Sequence, residues 1–371
     1  MDSNTEISHL PVVMIGSFGH SGIDWIHSLL DNHEEILIMP PFSFFRTLEK
    51  IKRKNIILDK MKDKEISKVF SDIFYNDISY QIKNRNFINN ENQKKDFDNH
   101  FNYYLVNSKE KNLEKKIFFS IHYAFSKVHK IEIKKKKLIL CQEHVSWHCR
   151  KYKKIFNSKF LIIFRDPRAT IGGAILKMKN SNNDQIINSF QFDTIILSMI
   201  SAYNYFVKNF NSNDLFYISN ELMHQDLKKQ MNILSKWLNI KSSESMYQQT
   251  FMGKNWKGES AYLNNDQLLD NIPINFYDPA QIEKRWRSIL SKKEILMIET
   301  VFRNMMSKFQ YKTDNKLNFL DLVKGYQYFF FSHQHQQKYY LNKYLIIIRN
   351  IIRRFFVLLI GSKSAKFFRF K

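Results

Sequence analysis

Three short apolar runs punctuate the first half of the chain. Val12 to Ile15 ends at Gly16, Leu138 to Cys141 ends at Gln142, and Phe160 to Phe164 ends at Arg165. Each is bounded by polar or charged residues and has the length of a buried strand. Directly after the first run, Trp25, Ile26, Leu29 and Leu30 recur at helical spacing, and the same period returns over 183–210, 221–239 and 290–308. Uniformly apolar strands alternating with helices predict an α/β fold with a parallel sheet covered on both faces. Residues 47–118 are rich in Lys, Asn, Asp and Glu with scattered apolar positions. They predict exposed helices and loops, an insertion that carries no chemistry. One domain is expected over 1–324, followed by a helical tail over 325–371.

The loop after the first strand reads Gly16-Ser17-Phe18-Gly19-His20-Ser21-Gly22-Ile23-Asp24-Trp25. Such a loop, leading from a buried strand into a helix N-terminus, aims free backbone N–H groups at one spot, and the helix dipole adds partial positive charge there. Phosphate or sulfate binds in such places, and Gly19 and Gly22 let the backbone approach closely. The plainer reading is an ordinary β–α turn that uses glycine for its geometry. It is not a Walker A loop: Ile23-Asp24 follows Gly22 where Lys and Ser/Thr are needed, which argues against a P-loop kinase or NTPase.

The stretch from His20 to Pro40 resembles the opening loop and helix of the sulfotransferase family. That pattern is a basic residue, Ser-Gly-Thr-Thr, then an apolar helix ending near Leu-Asp-x-His-Pro. His20, Ser21, Gly22, Leu29, Leu30, Asp31 and His33 fall on it, most closely to the branch with the bacterial carbohydrate and protein sulfotransferases. The resemblance implies a P-loop-like sheet. It also implies that Gly19, His20, Ser21, Gly22, Ile23, Asp24 and Trp25 cradle the phosphosulfate of 3′-phosphoadenosine 5′-phosphosulfate (PAPS), with no metal required. His20 stands where the family has Lys or Arg, so it supplies a cation only when protonated. Ile23 and Asp24 stand where the family has hydroxyl residues. Asp24 either lies near the anionic ligand or faces elsewhere as a first-turn acid.

Phe160-Leu161-Ile162-Ile163-Phe164-Arg165-Asp166-Pro167-Arg168 matches the family's strand end that grips the 3′-phosphate of PAPS. Arg165 takes the position of the forked arginine, a contact Lys cannot copy; on its own it reads equally as a surface ion pair. Eight residues on, where the family places Ser, stands Gly173, leaving a backbone N–H for the phosphate. His144 ends the preceding strand segment, twenty-one residues before Arg165. The resemblance implies that it is the general base, and Glu143 is the second candidate. Strand alternation puts the two on opposite faces, and a purely structural histidine is the other reading of His144. Thr250 to Ser260 resembles a Gly-x-x-Trp-x-Gly-[Asp/Glu]-Ser segment, which implies that Lys257 and Gly258 close over the nucleotide. The plainer reading of Trp256 and Trp286 is core packing.

A net charge of +23 over 371 residues favours anionic partners. No RNA-binding signature, zinc-finger spacing or helix-turn-helix accompanies it, so nucleic acid is not expected. Two cysteines, Cys141 and Cys149, make no disulfide framework. The opening segment lacks a basic region followed by an apolar one. Both point to a cytoplasmic enzyme. By family resemblance its reaction is sulfuryl transfer from PAPS to a hydroxyl, on a glycan or glycolipid. The departures at His20, Asp24 and Gly173 keep a second reading open: a catalytically impaired, sulfotransferase-like nucleotide- or glycan-binding protein. In the tail, Tyr344 to Ile360 carries three Arg among Ile, Leu and Phe. It is too charged and too short to span a bilayer. On a helical wheel its polar positions fall within roughly 140°. Residues 339–371 therefore predict a basic amphipathic helix lying on an anionic membrane surface, at the inner face of the membrane. The alternative is a helix that buries its apolar face against the enzyme's own core.

Overall fold

A computed structural model describes residues 7–19, 21–74, 90–181, 189–210, 213–256, 285–332 and 343–360. The chain opens with strand β1 (Val12–Ser17), helix α1 (Ile23–Leu30) and strand β2 (Ile36–Ile38). Helices α2 (Phe44–Arg53), α3 (Asp63–Ile73), α4 (Glu91–Asn107) and α5 (Leu113–Val128) follow. The chain then returns to the sheet as β3 (Leu138–Gln142), α6 (Cys149–Phe156), β4 (Lys159–Phe164), α7 (Pro167–Ser181), α8 (Ser189–Asn209) and β5 (Leu215–Ser219). Helices α9 (Asn220–Gln225) and α10 (Leu227–Leu238) lead to a small hairpin of β6 (Thr250–Phe251) and β7 (Lys254–Asn255). Helices α11 (Lys292–Val301), α12 (Arg303–Lys308), α13 (Phe319–Phe331) and α14 (Lys343–Ile360) complete the described chain.

The five main strands form one parallel sheet in the order β2-β3-β1-β4-β5. Both faces are buried, which is why the strands read as unbroken apolar runs rather than as alternation. Met14, Cys141, Phe160 and Ile162 face a large core shared with α5, α7 and α8. Val13, Ile15, Leu161 and Ile163 face a smaller one closed by α1 and α10. The expected α/β architecture is therefore what the chain forms, and all five carboxyl strand ends lie along one edge, where open parallel sheets place their ligands.

The helices of the 47–118 segment are tied into the main core by an aromatic seam rather than standing free. Phe70 stacks on Phe101, and Phe118 meets Phe44 and Phe156. The boundary expected at 324/325 falls inside α13. That helix packs on α11 so closely that Gly325 has no room for a Cβ against Thr300, and Phe329 is fully buried.

Helix α14 does not bury its apolar face against the enzyme's core. Its buried line is Asn350, Arg354 and Val357, while Leu345, Ile348, Ile352, Phe355, Phe356 and Leu359 are exposed. The cause is Arg354. Its Nε donates to Asp193 Oδ1 at 2.7 Å, and its Nη1 donates to the carbonyls of Phe329 and Phe330 at 2.6 and 3.0 Å. Those carbonyls end α13 and need donors, and a helix C-terminus favours a cation. Burial pushes the Asp193 carboxyl up, and the Arg354 and Arg353 guanidiniums oppose that. A buried carboxylate stripped of its cation costs about 3–5 kcal/mol. The polar side is thus turned inward.

Candidate active site

The loop of residues 16–22 leaves the carboxyl end of β1 next to its two neighbours in the sheet, β3 and β4. Phe18 is fully buried and anchors it, packing edge-on to Tyr203 and tilted against Phe206, Tyr217 and Phe309. Ser17 Oγ donates to the Gly19 carbonyl at 2.7 Å, and the Ser21 N–H donates to that carbonyl at 2.7 Å. Gly22 then occupies the N-cap of α1 with φ +93°. A Cβ there would be strained and would also fall 2.5 Å from Asn220 Nδ2. The glycine is required twice over, by backbone conformation and by the side chain arriving from the end of β5.

Ser21 Oγ, Gln142 Oε1, Arg165 Nε and Thr170 Oγ1 at this edge are buried and find no hydrogen-bond partner among the described residues. Buried polar atoms favour a partner, and these four stand together around the end of the loop. Arg165 follows β4 directly. Thr170 stands in the first turn of α7, and its methyl lies 3.5 Å from where a Gly19 Cβ would be. Gly173 is buried one turn further along α7, and its neighbour Gly172 packs against Trp286.

The second arginine of the Arg-Asp-Pro-Arg run has a different task. Arg168 is buried, donating to Asp166 Oδ2 at 2.7 Å and to Glu299 Oε1 at 2.6 Å. Its guanidinium also lies 4.4 Å above the Trp286 ring. Asp166 N–H in turn donates to Glu221, which also accepts from the Tyr311 hydroxyl. This network clamps the strand end, and Arg165 makes no ion pair among the described residues. Trp286 is core, as the plainer reading had it; Trp256 packs edge-on to Phe251 in the hairpin.

At the end of β3 the two candidate bases diverge as strand alternation requires. Glu143 is buried toward α6. Its Oε1 accepts from the Val145 N–H at 3.1 Å, and its Oε2 lies 3.3 Å from His148 Nδ1. His148 Nε2 is bonded to Glu49 at 2.8 Å on its other side. His144 points toward α1 and is exposed. The Gln142 side-chain amide donates to Asp24 Oδ1 at 2.9 Å and stands 3.3 Å from His144 Nε2. Loss of solvation beside the protein depresses the imidazole pKa, Asp24 and Glu143 work against that, and Arg46 adds to it. Asp24 is therefore turned sideways onto β3 rather than along the loop axis.

Trp25 stacks on His224 at 4.0 Å between ring centres, an intramolecular partner on α9. Ile23 is buried in the smaller core. His20, Lys257 and Gly258 lie outside the described residues. Gln142, Thr170 and Asn220 were not expected at the site. Gln142 and Asn220 sit at strand ends next to expected positions, which was a usable signal; nothing in the sequence marked Thr170. No group of His, Cys, Asp or Glu among the described residues is arranged to hold a metal ion.

No known family profile matches the chain, and no characterised protein sequence does so significantly. Solved structures do. The sulfotransferase domain from the curacin biosynthetic pathway aligns over 82% of this chain and 98% of its own, at 12% identity and a TM-score of 0.43. The sulfotransferase domain of the Synechococcus PCC 7002 olefin synthase aligns over 86% and 94%, at 13% identity and a TM-score of 0.41. A sulfotransferase from Mycobacterium avium aligns over 84% and 81%, at 11% identity and a TM-score of 0.40.

Proposed function

We propose that this chain is a PAPS-dependent sulfotransferase, with His144 as the base and Arg165 as the 3′-phosphate ligand. The observation that carries the reading is the meeting, along one sheet edge, of the glycine loop after β1, the unpartnered Arg165 after β4 and the solvent-facing His144 after β3. Ser21, Thr170 and the free N–H groups of the first turn of α1 complete a cradle for an anion with two phosphate ends. The Thr170 hydroxyl, one turn before Gly173, takes the task of the serine that the family places at that position. Lys257 and Gly258 close over the nucleotide.

In this reading His144 accepts the proton of the acceptor hydroxyl as that oxygen attacks sulfur. The new S–O bond forms while the bond from sulfur to the 5′-phosphate oxygen breaks. The products are a sulfate ester and 3′-phosphoadenosine 5′-phosphate. The loop N–H groups and a protonated His20 meet the charge that grows on the leaving phosphate. A depressed imidazole pKa keeps His144 neutral, as a base must be. The acceptor is a glycan or glycolipid hydroxyl, and the enzyme is cytoplasmic. The test is binding of 3′-phosphoadenosine 5′-phosphate by calorimetry, followed by sulfate transfer from PAPS to a panel of glycans and glycolipids. A preference for ATP with Mg²⁺ overturns the reading.

One observation favours a second reading, a catalytically impaired nucleotide-binding protein. The amide that holds Asp24 also faces His144 Nε2, so the base's lone pair already has a neighbour. Tight nucleotide binding with no transfer to any acceptor would select it.

A further inference from the structure

The outward side of α14 is an apolar strip edged by one exposed charge, Arg349. Leu345, Ile348, Ile352, Phe355, Phe356 and Leu359 are between 38% and 63% exposed, and at 100° per residue they span an arc of roughly 100°. The helix cannot slide round to hide them, because Arg354 and Asn350 on its other side are locked into the protein interior. No described helix is long and apolar enough to cross a membrane. A cavity of about 390 Å³ opens beside this arc, and Phe355 and Leu359 belong to its wall together with Leu358, Phe330 and Ile200; Arg303 also lines it. Arg303 is exposed, and no ion pair engages it among the described residues. The apolar strip and the cavity are therefore one continuous surface.

Charge selects the occupant. From residue 322 to residue 371 the sequence contains ten Lys and Arg and no Asp or Glu. Arg354 is neutralised by Asp193, and Arg353 lies 3.7 Å from the same carboxylate; the others have no acid within the segment. A second copy of the chain placed against this strip would bring two such basic segments together, which like-charge repulsion opposes. An anionic surface with an apolar interior matches both halves of the pattern at once.

We propose that the exposed strip of α14 inserts in the interfacial region of an anionic bilayer, and that the adjoining cavity takes one acyl chain from it. The inference stands apart from the sulfotransferase reading, since none of these residues belongs to the cradle. It inverts the usual arrangement of a surface helix: Arg353 and Arg354 are spent on docking to the protein, and the exposed Arg349 and Arg303 stand beside the strip for headgroup contacts.

Removing the tail is the wrong test, because it would leave Asp193 buried without its cation. The test uses the full chain with Ile352→Ser, Phe355→Ser and Leu359→Ser combined, all at exposed positions. Cosedimentation is measured with vesicles of phosphatidylcholine alone and of phosphatidylcholine with phosphatidylglycerol. The wild type is expected to partition onto the anionic vesicles, more weakly as salt rises, and the triple variant to lose about tenfold or more of that partitioning with an unchanged melting temperature. A Phe356→Trp variant reports insertion directly, by quenching from lipids brominated on the acyl chain. Equal binding by the triple variant, equal binding to uncharged vesicles, or no quenching overturns the proposal. So does a wild-type dimer that the triple variant dissolves, which would assign the strip to a second copy.

Discussion

Replacing Arg165 by Ala separates a ligand-binding arginine from a structural one. Arg165 Nε is buried with no hydrogen-bond partner among the described residues, so removing the side chain breaks no bond seen among them. Its unfolding free energy should change by less than about 1 kcal/mol. The ligand complex loses a forked, charge-assisted contact, about 2–4 kcal/mol. That corresponds to roughly 30- to 1000-fold in the dissociation constant for 3′-phosphoadenosine 5′-phosphate. Arg165→Lys keeps the charge without the fork and should fall between the two. Arg168 is the internal control three residues away. Its bonds to Asp166 and Glu299 are buried, and Arg168→Met strands both acids, with an expected loss of about 3–5 kcal/mol of stability. Calorimetric titration and urea unfolding of the three variants give the required numbers. A folded Arg165→Ala protein with unchanged nucleotide affinity refutes the assignment, and a large drop in its stability shows that the arginine was holding the fold.

Four further outcomes follow from the same geometry. His144→Ala should lower kcat by about 10²- to 10⁴-fold with nucleotide affinity intact; if Glu143→Gln is inactive while His144→Ala turns over, the base is on the other face. The wild-type rate should hold steady through neutral pH and fall only below the ordinary imidazole value of 6.5, because crowding depresses the His144 pKa. Asp24 raises that pKa, so Asp24→Asn should move the acid limb further down without weakening nucleotide binding. Gly22→Ala meets both a positive φ and Asn220 Nδ2. It should cost about 1–2 kcal/mol of backbone strain and lower nucleotide affinity, read by thermal melts with and without 3′-phosphoadenosine 5′-phosphate; full affinity would show that the loop is a plain turn.

The sequence by itself determined the three central strands of the sheet, β3, β1 and β4, and left the edge strands β2 and β5 unread. Runs such as Phe160 to Phe164 are apolar at every position because both faces of a parallel strand are covered, and that property is local enough to read along the chain. The loop glycines, Arg165 and the opposed directions of Glu143 and His144 were legible for the same reason, since strand ends and strand alternation are short-range rules. Tertiary structure decided the rest. Arg165 and Arg168 are indistinguishable in a four-residue run; one is buried on Glu299 and the other is unpaired only because α11 packs behind α7. Gln142 and Thr170 joined the site through neighbours distant in sequence. The orientation of α14 could not be read from its amphipathic pattern, because that pattern assumes water on the polar side. A single buried carboxylate on α8, Asp193, together with the carbonyls that end α13, holds Arg354 in the interior and so turns the apolar strip outward, since a buried charge stripped of its partner costs about 3–5 kcal/mol.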